Sequence, residues 1–297
     1  MALSDLPDIK VLLFCILLLL YLLTLTGNTV IIVVSYLDRH LHKPMYFFLG
    51  NLAFLDICYT STTMPQILQV LLAKTKSITF IGCVTQVFFF VVFVGTEHIL
   101  LLIMSYDRFL AICRPLRYMV MMSQNVCARL AFVCWFIAVV NSTVHTSVTF
   151  RLHFCRTRKI ENFFCDIPPL LSISCDDTSI NEALLLSVGA FIGWAPLISI
   201  IISYIYIIVT IMKIKSEEGR QKAFSTCVSH LTVVILYYGS AIFNYAKPAS
   251  AHSTSNDRLI SVLYSMVIPM LNPVIYTLKN QDVKDAINRQ FIQKTKL

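Results

Sequence analysis

Charge is what this chain has least of. Charged residues fill 13% of its 297 positions, where a soluble domain carries about 25%. Hydrophobic residues fill 57%, and mean hydropathy is +0.74. That balance excludes a soluble enzyme or binding module and leaves an integral membrane protein. Strict polar–apolar alternation is missing too, which excludes a membrane barrel. Lipid offers a backbone no hydrogen bonds, so the spanning segments must be helices. Low-complexity tracts, visible repeats and a separate soluble domain are also absent, and one membrane domain over 1–297 is expected.

A span needs about 20 apolar residues. Seven such segments can be read, roughly Val11–Tyr36, Met45–Leu72, Ile78–Cys113, Val126–Val148, Ala183–Met212, Ala223–Ala246 and Leu259–Leu278. The first is too long for a signal-peptide core and no small-residue cleavage site closes it, so it reads as a retained helix. After the seventh, Val283, Ala286, Ile287 and Phe291 share one helical face with basic residues around it. This is the pattern of a short helix lying on the membrane surface, here about 280–291.

Seven spans put the termini on opposite sides, and basic residues choose the orientation. Arg108, Arg114, Arg117, Lys213, Lys215, Arg220 and Lys222 fall on the side of the C-terminus, whereas the loop 151–182 offsets its basic residues with acids. The C-terminus is therefore expected in the cytoplasm and the N-terminus outside. The excess of 24 Lys+Arg over 16 Asp+Glu then marks topology and anionic lipid, with no nucleic acid among the partners.

Catalytic constellations are missing. His98 and His230 have no companions at ligand spacing, and neither lies in a His-Glu-x-x-His motif. An enzyme is not expected. A transporter would show inverted repeats with broken helices in matched halves. Here the prolines, Pro65, Pro196, Pro269 and Pro273, fall in the second, fifth and seventh segments without such matching.

What polar chemistry there is lies inside the spans, where ionisable residues mark function by default. Asp56 and Glu97 are the deep acids. Read blandly, they hold helices together as hydrogen-bonded carboxyls. Read more sharply, they face the interior beside Asn272 as oxygen ligands for a hard cation. The third segment ends in Met104-Ser105-Tyr106-Asp107-Arg108-Phe109-Leu110-Ala111-Ile112-Cys113. An acid–arginine pair there can be a plain interfacial anchor. The seventh carries Asn272-Pro273-Val274-Ile275-Tyr276, whose proline removes a backbone bond and kinks the helix. Gly27-Asn28 lies in the first segment, Leu41 to Leu49 (LHKPMYFFL) leads into the second, Trp135 sits in the fourth, Pro196 and Ser203-Tyr204 in the fifth, and Lys222 to Leu231 (KAFSTCVSHL) in the sixth.

Together these stretches resemble the rhodopsin-like G-protein-coupled receptors, and the third-segment, LHKPMYFFL and KAFSTCVSHL stretches resemble olfactory receptors specifically. The resemblance covers about residues 20–290, with Ser105 and Phe109 departing from the usual Ala and Tyr. It implies a seven-transmembrane helix bundle that binds a small hydrophobic odorant and activates a heterotrimeric G protein of the stimulatory type, raising cyclic AMP. Asp107, Arg108, Tyr204, His230, Asn272, Pro273 and Tyr276 are then the coupling and activation residues. Asp56 and Glu97 become the candidate sodium site, and no other cofactor is implied.

Of the ten cysteines, Cys83, Cys155, Cys165 and Cys175 fall on the outer, oxidising side. Four cysteines allow three pairings, and a metal site with His153 is the alternative. The resemblance selects Cys83–Cys165 and Cys155–Cys175. It also assigns the pocket: Val91, Val94, Gly95 and His98 of the third span, Val188 and Ile192 of the fifth, Tyr238, Ala241 and Tyr245 of the sixth, and Val262 of the seventh. Ordinary helix packing is the alternative for each. Collectively they describe an apolar cavity with few polar groups, and no acid in the outer half of the third span awaits an amine. The one glycosylation sequon, Asn141-Ser142-Thr143, falls inside the fourth segment. Olfactory receptors usually carry one in a longer N-terminus, so a truncated, poorly trafficked receptor is a further expectation.

Overall fold

The structure is a computed structural model, and it describes residues 7–72, 78–155, 164–245, 268–277 and 280–292. Among these residues the chain is almost wholly helical, with a single isolated bridge between Phe154 and Ser174. In chain order the helices are α1 (Pro7–Leu37), α2 (Pro44–Leu72), α3 (Phe80–Cys113), α4 (Pro115–Met121), α5 (Gln124–Thr149), α6 (Ile167–Ser172), α7 (Ser179–Val188), α8 (Ala195–Met212), α9 (Glu217–Tyr245), α10 (268–277) and α11 (Gln281–Ile287).

Five stretches are long and apolar enough to cross a bilayer: Lys10–Leu37, Phe80–Cys113, Gln124–Thr149, Ser179–Met212 and Glu217–Ile242. With them packs α2, as long but interrupted by Asp56, Tyr59 to Thr63 and Pro65. The outer part of the expected seventh span lies outside the described residues; α10 is the rest of it.

Burial says which helix is central. In α3 56% of the apolar window is buried inside the protein, against 17% in α1 and 28% in α5. The outward residues of α1 and α5, such as Leu19, Phe132 and Phe136, face where lipid belongs. Thr79 caps the start of α3, its hydroxyl accepting from the Gly82 amide at 3.1 Å.

Three local features differ from the sequence expectation. The fifth span is not one regular helix: a π turn, Gly189–Trp194, separates α7 from α8. Pro196 in the first turn of α8 has no N–H to give the preceding turn, and widened turns occur where that ladder is broken. Short α4 and α6 lie in connections read as loops, too brief to show periodicity, and each starts with proline in its first turn. The surface helix is α11, followed by a second π turn, Asn288–Ile292. Its Val283 and Ala286 are buried and Ile287 half-buried, as expected of that face, and the side chain of Phe291 lies outside the described set.

Candidate functional site

Several of the polar residues picked from sequence bond one another across helices. At the junction of α1 and α10 the cause is proline chemistry. Pro273 has no N–H, so the carbonyl four residues earlier, at Pro269, loses its helical partner. Asn28 supplies one: its Nδ2 donates to Pro269 O at 3.1 Å and to Thr24 O at 3.0 Å. Gly27 permits that approach, since a Cβ there would lie 3.0 Å from Pro273 Cγ. The sequence signalled Gly27-Asn28 only by resemblance; its reason is the proline opposite.

Beside it, Asn272 Nδ2 donates to Asp56 Oδ2 at 2.9 Å. Asp56 Oδ1, Asn272 Oδ1 and Glu97 Oε1 are buried acceptors with no hydrogen-bond donor among the described residues. Asp56 and Glu97 lie within electrostatic reach of each other, and buried acceptors without donors on α2, α3 and α10 could be satisfied by a cation. Among the described residues no three His, Cys, Asp or Glu side chains group as a metal site.

At the end of α3, Arg108 Nη2 lies 3.3 Å from Asp107 Oδ2, both side chains buried. Asp107 Oδ1 accepts from Tyr118 of α4 at 2.8 Å. Arg108 Nη2 itself donates no hydrogen bond among the described residues. One turn deeper, His230 of α9 bridges three helices. Leu101 O can only accept, so His230 Nε2 carries the hydrogen and donates to it at 3.1 Å. His230 Nδ1 then accepts from Tyr204 of α8 at 2.7 Å, the two rings stacked at 5.8 Å. Tyr276 is fully buried nearby in the same core cluster, its hydroxyl unpartnered among the described residues.

The opposite end is closed by the outer loop. Cys83 is bonded to Cys165, both buried, and Cys155 to Cys175, both exposed. Gln86, which the sequence reading missed, holds the loop from beneath: its Oε1 accepts from the Cys165 amide at 2.8 Å and its Nε2 donates to Thr62 O at 3.2 Å. Phe164 covers Phe90 at 5.5 Å. Asp166 caps α6, accepting from the Ile167 amide at 2.8 Å, and burial pushes its carboxyl up to about 6. His153 pairs with Asp176 at 3.0 Å rather than with the thiols, which are all in disulfides.

The expected pocket residues are not all together. Val91 and Val94 are half-buried against the Phe90–Phe93 cluster, and His98 lies edge-on to Tyr237 and Tyr238 of α9, at 4.9 and 5.3 Å. At Gly95 a side chain would meet Ala138 of α5 at 3.6 Å, an ordinary packing contact between α3 and α5. Val188 sits at the end of α7, Ile192 in the π turn, and Ala241 is half-buried in α9. Tyr245 ends α9, its side chain outside the described set, and Val262 lies outside the described residues. A cavity of about 450 Å³ lies between α6 and α7, lined by Pro168, Leu171, Ser174, Asp176 and Glu182 among others, and shares no residue with the expected pocket.

Sequence periodicity also missed a clasp at the Arg108 end. Arg289 Nε donates to Asp38 Oδ2 at 2.9 Å, tying the surface helix to the turn after α1. Lys43 and Tyr46 reach Asp282 at 3.2 and 3.0 Å. Burial alone would raise the Asp38 carboxyl. Hydrogen bonds from Arg289 and from the amide and ring of His40, with the Arg289 charge, outweigh it and hold the group at about 2. The partners are some 250 residues apart in sequence, and only the fold joins them.

Comparison with known proteins follows from this geometry. The sequence pattern of the olfactory receptor family matches residues 14–294. The chain is 47% identical to olfactory receptor 2C1 of Mus musculus over 289 residues, 97% of this chain and 93% of that one. It is 47% identical to olfactory receptor 5B12 of Homo sapiens over 287 residues, 97% and 91% of the two chains. With olfactory receptor 1C1 of Homo sapiens it shares 47% over 276 residues, 93% and 88%.

Proposed function

The chain belongs to the olfactory receptor family, and from that premise we propose how this receptor works. It is a multi-pass membrane protein with the seven-transmembrane bundle of G-protein-coupled odorant receptors, and membership in a receptor family gives no support to a transporter. In our reading the N-terminus is extracellular and the C-terminus cytoplasmic. A small hydrophobic odorant enters between α3, α8, α9 and the seventh span, lined by Val91, Val94, His98, Val188, Ile192, Tyr238, Ala241, Tyr245 and Val262. The G protein engages the Arg108 end, is of the stimulatory type, and raises cyclic AMP.

The observation that carries this reading is the Leu101–His230–Tyr204 chain of bonds, which holds α9 against α3 beside an Arg108 with unused donor capacity. Moving α9 outward breaks the His230–Leu101 bond and opens Asp107 and Arg108 to a partner, with Asn272, Pro273 and Tyr276 forming the flexible wall. An agonist drives this only through its differential affinity for the two states. Asp56, Glu97 and Asn272 are the residues that would hold a sodium ion, which would supply the positive charge that their orphaned oxygens lack.

The test is a ligand screen with a cyclic-nucleotide readout in cells displaying the receptor through a glycosylated leader. Arg108→Ala at matched surface level is expected to abolish the response. Full signalling by that variant would remove Arg108 from coupling.

A further inference from the structure

His98 offers an acceptor that no described residue uses. Its Nδ1 lies 2.7 Å from Val94 O, one turn back on α3. A carbonyl only accepts, so Nδ1 carries the ring hydrogen, and the Tyr237 hydroxyl at 2.9 Å lies in reach of the same hydrogen. The tautomer is therefore fixed, and Nε2 is a bare lone pair. Among the described residues Nε2 has no hydrogen-bond partner, although the side chain is only half-buried and packs edge-on between α3 and α9. The neighbouring Tyr238 is 5% exposed, yet its hydroxyl is also without a partner among the described residues. His98 Nε2 and the Tyr238 hydroxyl belong to rings 5.3 Å apart, and an acceptor and a donor left unsatisfied among the described residues describe the missing group.

We propose that the ligand of this receptor is a small apolar molecule carrying a hydroxyl group, whose O–H donates to His98 Nε2 and whose oxygen accepts from Tyr238. This rests on the receptor reading above and names the ligand class of the same pocket. A hydroxyl alone among small neutral oxygen groups is both donor and acceptor. An ether, ketone or aldehyde satisfies Tyr238 and leaves His98 bare; a hydrocarbon satisfies neither. Val94, one turn before His98, and the Phe90–Phe93 cluster supply the apolar surface for the carbon skeleton. Sites built to bond a hydroxyl discriminate strongly against analogues without one, because the buried groups are then left unpaired.

The experiment uses the full chain and alkyl or terpenoid skeletons presented in matched forms: alcohol, methyl ether, aldehyde and hydrocarbon. Two readouts are taken, cyclic nucleotide in cells and thermal stabilisation of the purified receptor in lipid nanodiscs. Alcohols should outrank their own methyl ethers by about ten- to a hundredfold in concentration. His98→Phe should erase that ratio, and His98→Gln, which keeps an acceptor, should restore part of it. A ratio near one in the parent overturns the proposal, as does an unchanged ratio in His98→Phe. So does a parent that no alcohol stabilises or activates, even when other odorants do signal, and in that case the receptor reading stands. If alcohols stabilise the receptor through His98 but no ligand raises cyclic nucleotide, the hydroxyl site stands and the coupling reading fails.

Discussion

Asn28 shows what one side chain does for this bundle. Its amide answers a carbonyl that Pro273 has orphaned, across the seam between α1 and α10. Asn28→Ala should leave Pro269 O buried and unpaired, costing about 1–3 kcal/mol. Pro273→Ala restores an N–H that can bond the same carbonyl. The Asn28→Ala penalty should therefore shrink in a Pro273→Ala background, and thermal denaturation of the four proteins in detergent measures that coupling. An equal penalty in both backgrounds would mean that Asn28 acts elsewhere. Gly27 obeys the same logic, because any Cβ there pushes against the ring of Pro273.

Among the elements, the two disulfides should differ in consequence. Cys83–Cys165 is buried, joins the outer loop to α3, and is backed by the Gln86 bond to the Cys165 amide. Cys155–Cys175 is exposed and closes a sequence separation of only 20 residues. A native disulfide is worth about 2–5 kcal/mol in small secreted domains. Cys83→Ser or Cys165→Ser should accordingly abolish ligand response, and Cys155→Ser should reduce it less; surface-normalised dose–response curves would rank them. At the other end, the clasp of the π turn after α11 onto the turn after α1 is an ion pair whose arginine is 37% exposed. Solvent screening limits Arg289→Ala to about 1 kcal/mol. The Asp38 carboxyl titrates lower in the folded protein than in the unfolded chain. Its contribution is present above the ordinary value of 3.8 and disappears as pH falls through about 2. The difference in melting temperature between the parent and Arg289→Ala should thus be constant at neutral pH and narrow in that acid window.

For the whole molecule, the decisive feature is the set of orphaned oxygens between α2, α3 and α10. Asp56 and Glu97 lie within electrostatic reach of each other, and two anions in a low-dielectric interior require a cation or a proton. If sodium is the neutralising ion, it favours the closed bundle, and agonist and sodium weaken each other by linkage. Replacing sodium by choline at constant ionic strength should then raise agonist potency several-fold in the parent and change it little in Glu97→Gln. A parent indifferent to sodium would favour a protonated, ion-free pair. A Glu97→Gln receptor responding like the parent would make Glu97 a packing residue.

The sequence by itself determined the solvent, the helical class and the family. Those rest on composition, on apolar runs of span length, and on short motifs at Asp107-Arg108, Asn272 to Tyr276 and Lys222 to Leu231, all local properties of a chain in lipid. It also nominated Asp56, Glu97 and His98, because polar groups in apolar runs stand out. Tertiary structure alone decided partnerships. Nothing local to Asn28 reveals a proline 245 positions later, to Gln86 the amide of Cys165, or to Asp38 the guanidinium of Arg289. The neighbour of Gly95 is of the same kind: helical spacing gives a residue's face, but that this face meets Ala138 depends on how α3 is rotated against α5. The π turn likewise depends on how the turn before Pro196 settles against its neighbours, since proline removes a bond without dictating what replaces it.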